Sequence, residues 1–214
     1  MLIVRATKKL LDRIGAPTLR DGEQSTTVLG QWYATALPWR PQVALLVNEP
    51  TLLPVLMPLA PAATLPARAA RNIAAMILAT HATPEAVIEE ELRHMRDYRV
   101  ATTANRSVVG IMNEFSRLAE IHRDRDPCPD LTDLAQRLAT TPCSPLYGRN
   151  VSPDRELAAF LHTATSTRRS SCPPTLNGDE VIHSAQADQA TYQRQKSALN
   201  SAIQGGRRQV PETT

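Results

Sequence analysis

The pattern of apolar and polar positions divides the chain into short elements. Residues 2–6 (LIVRA) form a brief apolar run and predict a strand. Thr7 then stands where it can cap a helix bearing Leu10, Leu11 and Ile14 at helical spacing, with Gly15 and Pro17 as the stop. The segment at 28–37, around LGQWYATAL, predicts a second short helix ended by Pro38. QVALLVN (42–48) is a continuous apolar run of the kind found in strands buried on both faces. It ends at Asn48-Glu49-Pro50, because a residue before proline is steered away from helix. Residues 51–61 (TLLPVLMPLAP) are apolar but broken by Pro54 and Pro58, which suits an edge strand or an apolar loop and not a central strand.

Helical periodicity dominates the next stretch. Residues 67–80 bring Ile73, Met76, Ile77 and Thr80 onto one face. A helix at 84–97 follows, with Thr83 as its expected N-cap and Pro84 at its first position. Its stripe is Val87/Ile88, Glu91/Leu92 and Met95, and its acids lie early and its bases late, as the helix dipole favours. YRVATT (98–103) predicts a short strand. The strongest helix is 105–122, with Val108, Ile111, Met112, Phe115, Leu118 and Ala119 on one side. Residues 130–139 and 153–162 predict short amphipathic helices on the outside. The pattern therefore predicts a small α+β domain over 1–162, a short mixed sheet packed against several helices. Residues 163–214 offer only Leu176, Val181, Ile182, Tyr192, Leu199, Ile203 and Val210 as large apolar side chains. That is too few to offset the entropy of ordering, so this segment is expected to be a mostly disordered tail, with a short helix near 185–203.

Composition sharpens this picture. The chain is 42% hydrophobic but only 4% aromatic, so Ala, Leu, Val, Ile and Met must fill the core, with Trp32, Tyr33 and Trp39 as its large anchors or, alternatively, a partner-binding patch. No stretch approaches the ~20 apolar residues of a membrane span, and the start lacks the form of a signal peptide. Cys128, Cys143 and Cys172 are odd in number and form no CxxC pair, which speaks for a reducing cytoplasm over a disulfide framework. The net charge of +3 is small.

Candidate chemistry is sparse. Lys8 and Lys9 are two of only three lysines and sit at a strand-to-helix junction, where free backbone N–H groups favour an anion. No glycine-rich phosphate loop accompanies them. Asn48 and Glu49 end the buried strand, the position where ligand groups gather in open α/β sheets. Asn105 is a natural N-cap for the strongest helix, and Arg106 beside it suits a carboxylate or a phosphate. Glu90 and His94 have the four-residue spacing of a helical surface pair. His122, Asp124, Asp126 and Cys128 are metal-type residues, but their alternation is not a zinc spacing, and an EF-hand would need glycine at Pro129 and glutamate at Ala135. No metal and no cofactor is implied.

Read in order, the blocks IVRATKKLL, LGQWYA, ALLVNEPTLLPVL and ANRSVVGIMNEF resemble a bacterial family of domains of unknown function, the one numbered sixty-nine thirty-three, over roughly residues 1–120. The resemblance implies a domain and a set of positions, and no chemistry. Three functional readings follow from the residues. The favoured one is a cytoplasmic binding or interaction module with a protein partner and no membrane contact. The second is a nucleic-acid-associated accessory protein using Lys8, Lys9, Arg106 and the arginines of the tail. The third is a small hydrolase or transferase built on Asn48, Glu49 and Arg106.

Overall fold

A computed structural model describes residues 1–126 and 129–170, and residues Met1–Ser171 form one compact unit. The N-terminal run forms β1 (Leu2–Ala6), followed by α1 (Lys8–Ile14). Thr7 is the N-cap residue of α1, but its hydroxyl turns to Thr35 at 3.1 Å and its carbonyl, not its side chain, accepts the first helical N–H groups. Gly15 ends the helix with φ at 107°, a conformation that favours glycine. An irregular segment then leads to β2 (Trp32–Leu37), where the periodicity had predicted a helix. The correction has a physical cause. Trp, Tyr and Thr favour a pleated surface, and β2 finds partners on both sides, so pairing overrides a weak local helical signal.

β3 (Val43–Asn48) and β4 (Pro54–Pro58) follow as an antiparallel meander. The five-stranded sheet has the order β4-β3-β2-β1-β5, where β5 is Tyr98–Thr102. β1 runs parallel to both β2 and β5, so the sheet is mixed. Every residue of β3 is buried, as its unbroken apolar run implied. Both edges are protected. Pro54 and Pro58 remove donors from β4, along which α5 (Leu131–Ala139) packs. On β5, Val100 accepts N–H bonds from Thr18 (2.8 Å) and Leu19 (3.0 Å) and donates its own N–H to the Thr18 hydroxyl.

The helices lie close to the expected ranges. α2 (Leu65–Thr80) buries Ile73, Met76 and Ile77 and touches β4 and β5. α3 (Glu85–His94) is capped differently from the expectation: Pro84 is the N-cap residue, and the Thr83 hydroxyl donates to the His81 carbonyl instead. A proline fixes the backbone there without any side-chain acceptor. α4 (Arg106–Arg125) packs on β2 and β3 through Val108, Ile111, Met112 and Phe115, the last only 1% exposed. α6 (Pro153–Ser170) runs on past residue 162, where the tail was expected to begin. Among the residues whose burial is described, Leu161 is its last large buried side chain, and propagation, which adds one hydrogen bond per residue, extends the helix. The predicted disorder and helix over 171–214 lie outside the described residues.

Candidate functional site

The polar side chains of the sheet gather where β1, β2 and β3 meet the start of α4. Tyr33 is the register partner of Arg5 across β1 and β2, so both stand on one face of the sheet. Glu49, just beyond β3, is tied to the residue before β2 by its N–H bond to the Gln31 carbonyl at 3.0 Å. Its carboxylate Oε1 accepts from the Tyr33 hydroxyl at 3.4 Å and from Asn105 Nδ2 at 3.1 Å. Asn105 is the N-cap of α4: its Oδ1 accepts the N–H groups of Ser107 (3.0 Å) and Val108 (3.5 Å), and its own N–H donates to the Tyr33 oxygen at 3.0 Å. Arg5 completes the group. Its Nε donates to the Gln31 side chain and its Nη1 to the Thr102 carbonyl at 3.0 Å.

Electrostatics follow from this geometry. Burial pushes the Tyr33 hydroxyl above its usual range. The Asn105 N–H opposes that shift, Glu49 reinforces it, and Arg5 opposes it. Tyr33 therefore stays a neutral hydroxyl between one positive and one negative charge.

Of the residues singled out in the sequence, Glu49 and Asn105 are brought into direct contact. Asn48 is not part of that surface. It is fully buried, donating to the carbonyls of Leu29 (2.8 Å) and Gln31 (3.4 Å) and accepting from the Thr51 N–H (3.1 Å) and hydroxyl (2.8 Å). Those bonds use its full amide capacity and fix the 48–53 turn, in which Leu52 adopts a φ of 58°. This occupation takes Asn48 away from the hydrolase or transferase reading. Lys8 and Lys9 open α1 and are solvent-exposed, as is Arg106 at the start of α4; Glu49 pairs with Tyr33 and Asn105 and not with Arg106. Arg5 and Gln31 carried no site reading in the sequence, and Tyr33 only that of a core anchor or part of an aromatic partner patch. The available signal was Arg5 itself, the one charge within an otherwise apolar strand.

Several other titratable groups are engaged within the fold. Glu90 pairs with His94 at 2.8 Å and Arg93 at 2.6 Å, the helical surface pairing its spacing implied. Glu91 beside it is 4% exposed and accepts the N–H groups of Val28 (2.6 Å) and Leu29 (3.1 Å), holding the segment that precedes β2. Burial raises its carboxyl above the usual range, against the pull of those two N–H groups. Burial also pushes the Cys143 thiol up to about 11, so it is protonated at neutral pH and poorly nucleophilic. Of the metal-type residues at 122–128, Cys128 lies outside the described residues. Asp126 and His122 flank a shallow hollow with Asp130, whose carboxylate caps α5. Among the described residues no three His, Cys, Asp or Glu side chains are arranged to hold a metal.

A family model described as "Domain of unknown function (DUF6933)" matches residues 3–156. The chain belongs to this family. No curated protein and no solved structure matches the chain. The DUF6933 match extends beyond the blocks that carried the resemblance, through α5 and into the first turn of α6. It therefore takes in the sheet, α4 and the whole Arg5–Tyr33–Glu49–Asn105 group. Among the described residues no helix is long and apolar enough to cross a membrane.

Proposed function

We propose that this DUF6933 domain is a cytoplasmic binding module, and that its recognition surface is the polar cluster at the start of α4. One observation carries this reading: Glu49 is half-buried, held in place by Tyr33 and Asn105 and tied to Gln31, yet pairs with no cation among the described residues. Fixed, partly exposed polar groups on rigid elements are what recognition needs, because little side-chain entropy is lost when a partner binds. The exposed side chain of Arg106 stands next to the cluster in sequence and extends the surface.

In-cell photocrosslinking tests the reading. A photoreactive amino acid at position 106 is expected to capture a defined protein partner, and Glu49→Gln is expected to reduce that capture. The same probe at exposed Arg155 on α6 serves as the control. Equal capture from both positions, or none from position 106, would sink the proposal. Crosslinking of nucleic acid at position 106 would favour the accessory-protein reading instead.

A further inference from the structure

Arg5 stands in register with Tyr33, Glu49 accepts the Tyr33 hydroxyl, and these two charges of opposite sign form no ion pair with each other. Arg5 is half-buried and held by neutral acceptors, the Gln31 side chain and the Thr102 carbonyl. Glu49 is half-buried and held by neutral donors, the Tyr33 hydroxyl and the Asn105 amide. Neither belongs to any ion pair among the described residues. Partly desolvated charges normally find a counter-charge, since water no longer compensates them fully. Both groups also have capacity left. A guanidinium carries five N–H donors, of which two are engaged here, and both bonds to the Glu49 carboxylate fall on Oε1.

We infer that this cluster accepts a small dipolar ligand, with a cationic group on Glu49 and a carboxylate on Arg5, as in a free α-amino acid. The inference rests on the reading of the cluster as the recognition surface and names the chemistry it takes. Charge selects this class. A purely anionic ligand such as a phosphate meets the Glu49 carboxylate, and a purely cationic one meets Arg5; only a ligand bearing both signs gains from each. Tyr33 contributes a rigid spacer, since it is 1% exposed and its oxygen is fixed by the Asn105 N–H at 3.0 Å. Arg5 supplies a planar donor fork suited to a carboxylate.

The test is an amide-resolved NMR titration of the full-length chain with glycine, and with acetate and methylammonium as single-charge controls. Glycine is expected to shift the amides of Gln31, Glu49 and Asn105, with acetate and methylammonium at least about tenfold weaker. Glu49→Gln and Arg5→Gln should each weaken glycine by about tenfold or more, and Arg5→Lys by less. Glu49→Gln keeps an acceptor for Tyr33 and Asn105, so its spectrum reports folding and binding together. Acetate or methylammonium binding the same amides as well as glycine does would overturn the dipolar assignment and leave the binding-module reading standing. Absence of any shift with tens of millimolar glycine would overturn the assignment too, while the photocrosslinking result decides the broader reading independently.

Discussion

At the scale of single residues, buried polar groups organise this domain more than its surface charges do. Asn48 and Glu91 grip the same segment from opposite chemistries. Asn48 donates to the carbonyls of Leu29 and Gln31, and Glu91 accepts the N–H groups of Val28 and Leu29. Such a segment lacks strand or helix partners of its own, so its backbone groups must be satisfied by side chains. Glu91 has a consequence for pH. Its folded-state carboxyl is raised above the ordinary value, chiefly by burial. The folded state therefore holds the proton more tightly than the unfolded chain does. The stability this contributes is fully present below the unfolded value and is lost as pH rises through the folded one. Wild type should accordingly gain on Glu91→Gln as pH falls from 7 toward 4.5. Urea unfolding of both proteins across that range measures the difference, and a pH-independent gap would contradict the assignment. This residue was only half legible in the sequence. The stripe of α3 placed Glu91 on the inward face beside Leu92, but its partners lie some sixty positions away and no local pattern announces them.

At the scale of elements, legibility depended on whether local pattern and tertiary pairing agreed. α4 was readable from its stripe and cap because its apolar face and its N-cap are both local features. β3 was readable because a fully buried strand needs no alternation. The prolines of β4 excluded a central strand for a backbone reason that holds whatever surrounds them, and of the edge strand or loop that remained the chain forms the edge strand. β2 was not readable: WYATAL has no strict alternation, its apolar residues satisfy a helical template about as well as a strand, and only β1 and β3 decide between them. The candidate site inherited that error, since Tyr33 on a helix would not stand in register with Arg5. The junction of β3 with α4 has its own testable property. Asn105 caps α4 while donating to Glu49 at 3.1 Å. Asp at this position would still cap, and a carboxylate there suits the helix dipole. It would also set a second carboxylate against Glu49, with no amide donor between them. Asn105→Asp should therefore be less stable than wild type at pH 7, with the deficit shrinking as pH falls through the carboxylate range. Asn105→Ala should lose about 0.5–2 kcal/mol, the usual cost of an N-cap, with little pH dependence. Thermal melts at neutral and acidic pH separate the two variants, and an Asp variant as stable as wild type at pH 7 would show that the carboxylates are kept apart.

At the scale of the whole molecule, the chain combines one compact unit, Met1–Ser171, with a C-terminal segment of a different composition. The unit holds its own sheet, and its core reaches as far as Leu157 and Leu161 on α6. α6 is anchored at its start: Glu156 accepts from Asn150 Nδ2 at 2.6 Å and Arg149 Nη1 at 2.9 Å, pinning the loop before it. Those contacts all precede residue 162, and the sequence beyond 171 contributes few large apolar side chains. The hydrophobic effect scales with apolar area removed from water, so little of the folding free energy is expected from that segment. A chain ending at residue 171 should then melt with the same cooperativity and at the same temperature as the full chain. Calorimetry of the two proteins reads this directly. In a domain of this size about 1 kcal/mol of stability moves the midpoint by about 2–4 °C. A fall larger than that on truncation would mean that residues 172–214 pack on the domain. Their arginines would then belong to its surface electrostatics, which would strengthen the case for nucleic acid as a partner.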